Sequence, residues 1–311
     1  MLTATRRSAI PDAPSTTAHS HGGFHYESLR APATSSPTTA PVVLIGGAFQ
    51  RKEDWGRILK GLANHADVIA VDLPGWGGAD LLPSQYGIDF LTDACIRALD
   101  DHLESAGLHG GTTGRFNLMA GSYGTAVGYR LAQRRPDLVE RAVMIGTMRS
   151  IPDHLRDVIE EGIAHILAGR RREFATTAVE WMTTRRPGAD VERLAVIRRI
   201  LWGKLANIPD DEVAKFVANT RRLFDLDSMD TGRGPSMPML FGVGEHDTFT
   251  PPELCWELAQ TCPSSQFVQI RRSDHLVHLE RPNDIVDLAV RFFHRLPVGE
   301  APYLLGADDT V

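Results

Sequence analysis

Asn117-Leu118-Met119-Ala120-Gly121-Ser122-Tyr123-Gly124-Thr125-Ala126 is the stretch whose reading decides the fold. A strand-like run from Arg115 to Ala120 feeds into small-x-Ser-x-small, and a helical pattern from Gly124 to Arg134 follows, ended by Pro136. A strand that turns directly into a helix forces strained backbone angles on the central residue. Small neighbours, here Ala120 and Gly124, let the turn approach adjacent strands. Such a turn lifts the Ser122 hydroxyl clear of the sheet, at the positive end of the next helix. Small-x-Ser-x-small alone matches many surface turns by chance; the strand before it and the helix after it give it weight.

The same alternation extends in both directions. Phe24 to Leu29 reads as an edge strand, and Pro41 to Ile45 as a buried strand ending at Gly46-Gly47. Asp54 to His65 has helical spacing, Asp67 to Leu73 is a strand stopped by Pro74-Gly75, and Asp89 to Ala106 carries a helical apolar face. Arg141 to Ile145 is a strand again. From about Pro152 to Met229 only helix-like patterns occur, punctuated by turns at Pro187-Gly188 and Ile208-Pro209-Asp210. Alternation resumes with a strand at Met237 to Val243, a helix near Pro252 to Gln260, a strand at Gln266 to Ile270 and a helix from Pro282 to Arg295. The pattern implies an α/β fold, a mostly parallel sheet flanked by helices and interrupted by a helical insertion. The expected organisation is a core at 23–149 and 236–299, an insertion at 150–235, and a C-terminal tail at 300–311. Residues 1–22, rich in Ser, Thr, Pro and Ala, are expected to form a mobile tail in which His19 and His21 are solvated.

With 311 residues and 42% hydrophobic content, the chain is long enough to bury a large core. A net charge of −6, with 33 Lys and Arg against 39 Asp and Glu, argues against a nucleic-acid partner. Arg170-Arg171-Arg172 and Arg198-Arg199 sit in amphipathic stretches and read as solvated faces. Cys95, Cys255 and Cys262 lack metal-ligand spacing and suit a reducing compartment. The N-terminus lacks the roughly 7–15 apolar residues of a secretory signal, and no stretch approaches the ~20 that span a bilayer. The expectation is a soluble cytoplasmic protein with a small-molecule partner, no membrane association, no metal and no cofactor.

Two later stretches complete the pattern. Gly244-Glu245-His246-Asp247-Thr248-Phe249-Thr250-Pro251 follows the strand at 238–243, and Ser273-Asp274-His275-Leu276-Val277-His278-Leu279-Glu280-Arg281-Pro282 follows the strand at 266–270. Strand C-termini are where an open α/β sheet presents its chemistry. With Ala120-Gly-Ser122-Tyr-Gly124, these motifs resemble α/β-hydrolase fold enzymes over roughly residues 40–150 and 236–296, in the chain order Ser, Asp, His. The resemblance implies that Ser122 is a nucleophile, His275 the base that takes its proton, and Asp247 the acid that orients the imidazole. His278 is the rival base, which the resemblance leaves to packing or pocket lining. It also implies an oxyanion hole from the backbone N–H of Tyr123 and a second donor in Gly46-Gly47-Ala48-Phe49, with Ala48 preferred over Phe49. Many relatives have His-Gly in this loop where Gly46-Gly47 stands here. Trp55 and Asp72-Leu73-Pro74-Gly75-Trp76-Gly77 match family positions with a structural role.

The insertion at 150–235 falls where this family places a cap over the pocket. Met148, Arg149, Trp181, Trp202 and His278 are the residues expected to touch substrate. A serine at the elbow separates this chain from family members that use an aspartate there. The expected activity is hydrolysis of an ester, lactone or thioester of a small organic substrate through an acyl-Ser122 intermediate, with a biosynthetic pathway as its setting. Fold alone does not choose among chemistries; a cofactor-free lyase, a C–C bond hydrolase on the same three residues, or a non-catalytic ligand receptor are the alternatives.

Overall fold

A computed structural model describes residues 13–105, 114–224 and 232–306. Within them, β1 (Ser15–His21), β2 (Phe24–Ala31), β3 (Val42–Ile45), β4 (Val68–Asp72), β5 (Phe116–Gly121), β6 (Val139–Ile145), β7 (Met239–Gly244) and β8 (Ser265–Ile270) form one sheet. Their order is β1-β2-β4-β3-β5-β6-β7-β8. The pairs β1/β2 and β2/β4 are antiparallel, and every pair from β4 to β8 is parallel. β3 and β4 are buried along their whole length, as expected of parallel strands covered on both faces.

The helices are α1 (Gly56–Leu62), α2 (Ile88–Ser105), α3 (Gly124–Arg134), α4 (Asp153–Leu167), α5 (Arg171–Met182), α6 (Leu194–Ala206), α7 (Asp210–Phe224), α8 (Pro252–Ala259), α9 (Val277–Glu280) and α10 (Pro282–Phe293). The expected helix from Asp54 divides into a 3-10 turn, Lys52–Trp55, and α1, because Gly56 takes φ +38 at the junction. One face of the sheet is covered by α2, α3 and α8 through residues such as Leu91, Val127, Leu131 and Leu258. The opposite face is covered by α1 and α10 through Ile58, Leu62, Leu288 and Phe292. Helices α4–α7 enter the chain between β6 and β7 and have a core of their own, including Phe174, Leu205 and Phe216, into which Leu276 and Phe49 also pack. Residues 225–231 of the expected insertion lie outside the described residues.

β3 pairs with β4 on one side and with β5 on the other, so the chain reverses its direction of travel across the sheet at β3. In an open α/β sheet the crevice at such a switch point, beyond the carboxyl ends of the strands, holds the ligand. The loops after β3 and β5 meet there.

Two sequence expectations are corrected at the ends of the chain. Residues 1–12 of the expected tail lie outside the described residues, but residues 15–21 are the edge strand β1, and β2 is therefore interior. His19 is buried: Nδ1 lies 2.8 Å from Asp101 Oδ2, and Nε2 lies 2.8 Å from Ser28 Oγ, which also contacts His102 Nε2 at 2.7 Å. Composition misses this strand because its bonds are to backbone and to buried polar partners, neither of which needs apolar side chains. At the other end, Ala301, Tyr303 and Leu304 are buried on the sheet edge, and Leu304 bridges to Ile270, so only residues 307–311 of the expected tail lie outside the described structure.

Candidate active site

β5 delivers Ser122 to the switch point. The residue sits at φ +48, a conformation that L side chains rarely adopt, and its N–H donates to Ile145 O at 2.8 Å. The close quarters explain the glycines. A Cβ on Gly124 would stand 2.5 Å from Ile45 O and 2.6 Å from Gly46 O, and one on Gly47 would stand 3.1 Å from Ser122 Cβ. Ser122 lies two residues before the start of α3, next to its N-cap Tyr123, and so stands near the positive end of that helix.

His275, on the loop after β8, places Nε2 3.0 Å from Ser122 Oγ. Its Nδ1 lies 3.1 Å from Asp247 Oδ2, on the loop after β7. Asp247 is fixed by the backbone N–H groups of Phe249 (2.9 Å) and Thr250 (2.7 Å) and by the Thr250 hydroxyl (2.5 Å). Asp247 and His275 are both buried. Burial alone lowers the His275 pKa, but the charge and hydrogen bond of Asp247, with a smaller contribution from Asp274, outweigh it and the pKa is raised. The connected oxygens and nitrogens form a path from the serine hydroxyl to a buried carboxylate, the arrangement that withdraws a proton from a nucleophile.

A cavity of about 450 Å³ opens over Ser122 and His275 between the sheet and the helical layer. Its lining is mostly apolar, with Phe49, Trp55, Trp181, Met182, Leu201 and Phe216 among the larger side chains. Tyr123, Ala48 and His278 also line it. Among the described residues, the backbone N–H groups of Ala48, Phe49 and Tyr123 have no hydrogen-bond acceptor. Burial, followed by the charge of His275, lowers the His278 pKa to about 4, so this imidazole is neutral near pH 7.

Met148 and Arg149 line a smaller hollow that shares Ser122, Tyr123 and Phe249 with the main cavity. Trp202 does not reach the serine cavity. It faces a separate surface hollow with His165 and Arg172, where its indole N–H donates to Thr176 Oγ1 at 3.1 Å. Helical spacing marks Trp202 as part of an apolar face but cannot say which hollow the ring fills. Sequence reading also missed Phe249, whose ring lies 4.7 Å from that of His275 and 5.0 Å from that of Trp181. Its signal was position alone, two residues past Asp247.

Helix α7 is fastened to the core by polar side chains. Lys215 Nζ donates to Gly77 O at 2.7 Å, Asn219 Nδ2 to Gly75 O at 2.9 Å, and Arg222 to Leu82 O at 2.8 Å. These residues are spaced as one helical face and are buried. Among the described residues, no group of three His, Cys, Asp or Glu side chains is disposed to hold a metal ion, and no helix is long and apolar enough to cross a membrane.

The family model described as alpha/beta hydrolase fold matches residues 40–282. The chain belongs to the α/β-hydrolase fold family. It is 24% identical over 249 residues to an (E)-2-((N-methylformamido)methylene)succinate hydrolase of Acinetobacter baylyi, covering 79% of this chain and 87% of that protein. It is also 24% identical to a pimeloyl-[acyl-carrier protein] methyl ester esterase of Aeromonas hydrophila, covering 81% and 94% respectively. Among solved structures, the enol-lactonase of Burkholderia xenovorans superposes with a TM-score of 0.73 at 19% identity, over 89% of this chain and 99% of that one. For this α/β-hydrolase fold chain, the matched segment includes Ser122, Asp247 and His275 as well as the inserted helices α4–α7.

Proposed function

We propose that the protein is a serine hydrolase that cleaves an ester, lactone or thioester of a small, largely apolar organic substrate. The observation that carries this reading is the continuous set of contacts Ser122 Oγ–His275 Nε2 and His275 Nδ1–Asp247 Oδ2, at the floor of an apolar cavity. In this reading His275 takes the Ser122 proton as Oγ attacks the substrate carbonyl, and the tetrahedral oxyanion is met by the N–H of Tyr123 and that of Ala48 or Phe49. His275 then gives the proton to the departing alcohol or thiol, and a water, activated in the same way, releases the acid from acyl-Ser122. Helices α4–α7 act as the cap that shapes the acyl site and excludes water. The raised His275 pKa makes the imidazole a stronger base, and Asp247 stabilises the imidazolium once formed.

Of the relatives named above, one is a hydrolase of a substituted succinate and the other an esterase of a methyl ester, which supports hydrolysis, and ester hydrolysis in the second case. The test is a panel of aryl and alkyl esters combined with a fluorophosphonate probe. The expected result is covalent labelling of Ser122, with labelling and ester hydrolysis both lost in Ser122→Ala. An unlabelled wild-type protein, or hydrolysis surviving in Ser122→Ala, overturns the reading. Turnover that depends on Ser122 but releases a product of C–C cleavage or elimination reassigns the reaction.

A further inference from the structure

Asp274 precedes His275 and is fully buried, yet it is not the carboxylate that holds the imidazole; Asp247 fills that place. Its own N–H donates to Glu280 Oε2 at 2.6 Å, which closes the loop onto α9. One side-chain oxygen, Oδ2, accepts from the backbone N–H of Thr184, a buried residue just past α5 in the inserted helical layer. The other, Oδ1, has no partner among the described residues, and neither does Glu280 Oε1. A buried carboxylate held by so few donors is costly to desolvate. Packing alone would favour a smaller or neutral residue here.

The surrounding contacts show what the carboxylate joins. Arg198 Nε donates to Thr183 Oγ1 at 2.8 Å and its Nη2 to Thr184 O at 3.1 Å, so α6 fixes the segment that presents the Thr184 N–H. Further along the same connection, Glu192 N donates to Arg272 O at 2.9 Å, and Asp190 pairs with Arg272 at 2.8 Å. The stretch 183–193 thus lies along the loop that carries His275. Of these links, only the Asp274–Thr184 bond is fully removed from water and adjacent to the imidazole.

We propose that Asp274 is a positioning residue that locks the helical cap to the His275 loop, so that docking of the cap and alignment of the base toward Ser122 are one event. This rests on the reading of Ser122, His275 and Asp247 as the reacting set. The charged and titratable groups around the lock are Asp247, Glu280 and His275 from the core, with Arg198 behind the Thr184 segment. Asp274 has a second effect on His275, since its negative charge adds to that of Asp247 in raising the imidazole pKa.

The experiment compares wild type with Asp274→Ala, Asp274→Asn and Thr184→Pro. Thr183 is extended, at φ −139 and ψ 140, a conformation a following proline accepts, so Thr184→Pro removes the donor and leaves the carboxylate. The readouts are kcat and KM for an ester substrate, the pH profile of kcat/KM, fluorophosphonate labelling of Ser122, and amide exchange of residues 183–193. Asp274→Ala is expected to lower kcat by about 10- to 100-fold, as for a base displaced by up to 1 Å, with little change in KM and faster exchange at 183–193. Asp274→Asn keeps an oxygen for the Thr184 N–H and is expected to hold kcat within about fivefold of wild type, while its acid limb moves to lower pH because the anion beside the imidazole is gone. Thr184→Pro is expected to match Asp274→Ala in kcat and exchange without moving the acid limb, and it carries the test if Asp274→Ala does not fold. The lock is overturned if Thr184→Pro and Asp274→Ala both keep kcat within twofold of wild type. It is equally overturned if kcat falls with exchange at 183–193 unchanged. A wild-type protein that the probe does not label overturns the hydrolase reading instead, so the two failures are distinct.

Discussion

Gly124→Ala sets two physical effects against each other, and the structure decides the sign. Gly124 opens α3, and replacing a helical glycine by alanine ordinarily stabilises by up to about 1 kcal/mol. Here the new Cβ would stand 2.5 Å from Ile45 O, 2.6 Å from Gly46 O and 2.8 Å from Ile45 C. Comfortable separations between heavy atoms are about 3.5 Å, so close to 1 Å of displacement is needed. The obstructing atoms are backbone at the end of β3 and cannot rotate aside. Overpacking of this kind costs about 1–3 kcal/mol, and the rigid neighbours place it at the upper end. After subtracting the propensity gain, the variant is expected to lose about 2 kcal/mol, a fall in Tm of roughly 3 °C for a chain of this size. The displaced segment holds Ser122 and the Tyr123 N–H, so kcat is expected to fall by about 100-fold. Thermal unfolding and ester hydrolysis on the same preparation check both numbers. A variant as stable as wild type or more so, with unchanged kcat, would refute the steric account of the elbow.

His275→Ala is expected to abolish turnover while His278→Ala leaves a measurable rate, because the contact to Ser122 Oγ belongs to His275; steady-state kinetics on both variants decide it, and the reverse result reassigns the base. Trp202→Ala should leave kcat/KM within about twofold of wild type, since its ring is outside the serine cavity; a larger loss in the ester assay contradicts that placement. Glu280, whose pKa burial and then the charges of Asp274 and Asp247 push up to about 8, favours the fold most below pH 4.5, and this contribution is lost as pH rises through about 8. Glu280→Gln keeps the acceptor for the Asp274 N–H and should therefore be more stable than wild type by on the order of 3 kcal/mol at pH 7, with the gap closing toward pH 4.5 in urea titrations. His102 shows the opposite sign. Burial, then the nearby His19 and Arg30 charges, lower its pKa to about 4, so the unfolded chain takes up the proton first. Stability should fall as pH drops from about 6.5 toward 4, and His102→Gln should flatten that decline in unfolding curves.

The sheet, its helices and the three residues now seen in contact were largely legible because each leaves a local mark. Most of the parallel strands are buried apolar runs; Ser122 directly follows β5, Asp247 lies three residues past β7 and His275 five residues past β8. What escaped depends on partners far away in the chain. β1 is polar in sequence and earns its place through β2, Ser28 and Asp101. Lys215, Asn219 and Arg222 look like the solvated face of α7, yet their heads are consumed by carbonyls of the 75–82 loop. Asp274 reads as part of a loop motif, and nothing in its neighbours announces Thr184, ninety positions away. Periodicity reports that a side chain is covered, not by what.

Ser122 and His275 stand 153 positions apart, a separation that also has a meaning in time. During synthesis at about 5–20 residues per second, roughly 8–30 s pass between addition of the serine and addition of the histidine. Through that interval the turn carries the Ser122 hydroxyl without the imidazole that contacts it in the finished fold. The contact between Ser122 and His275 can therefore form only after β8 and the loop that follows it have been made. On the proposed reading of Ser122 as the nucleophile, a probe that labels it also reports on chains in which that contact has formed.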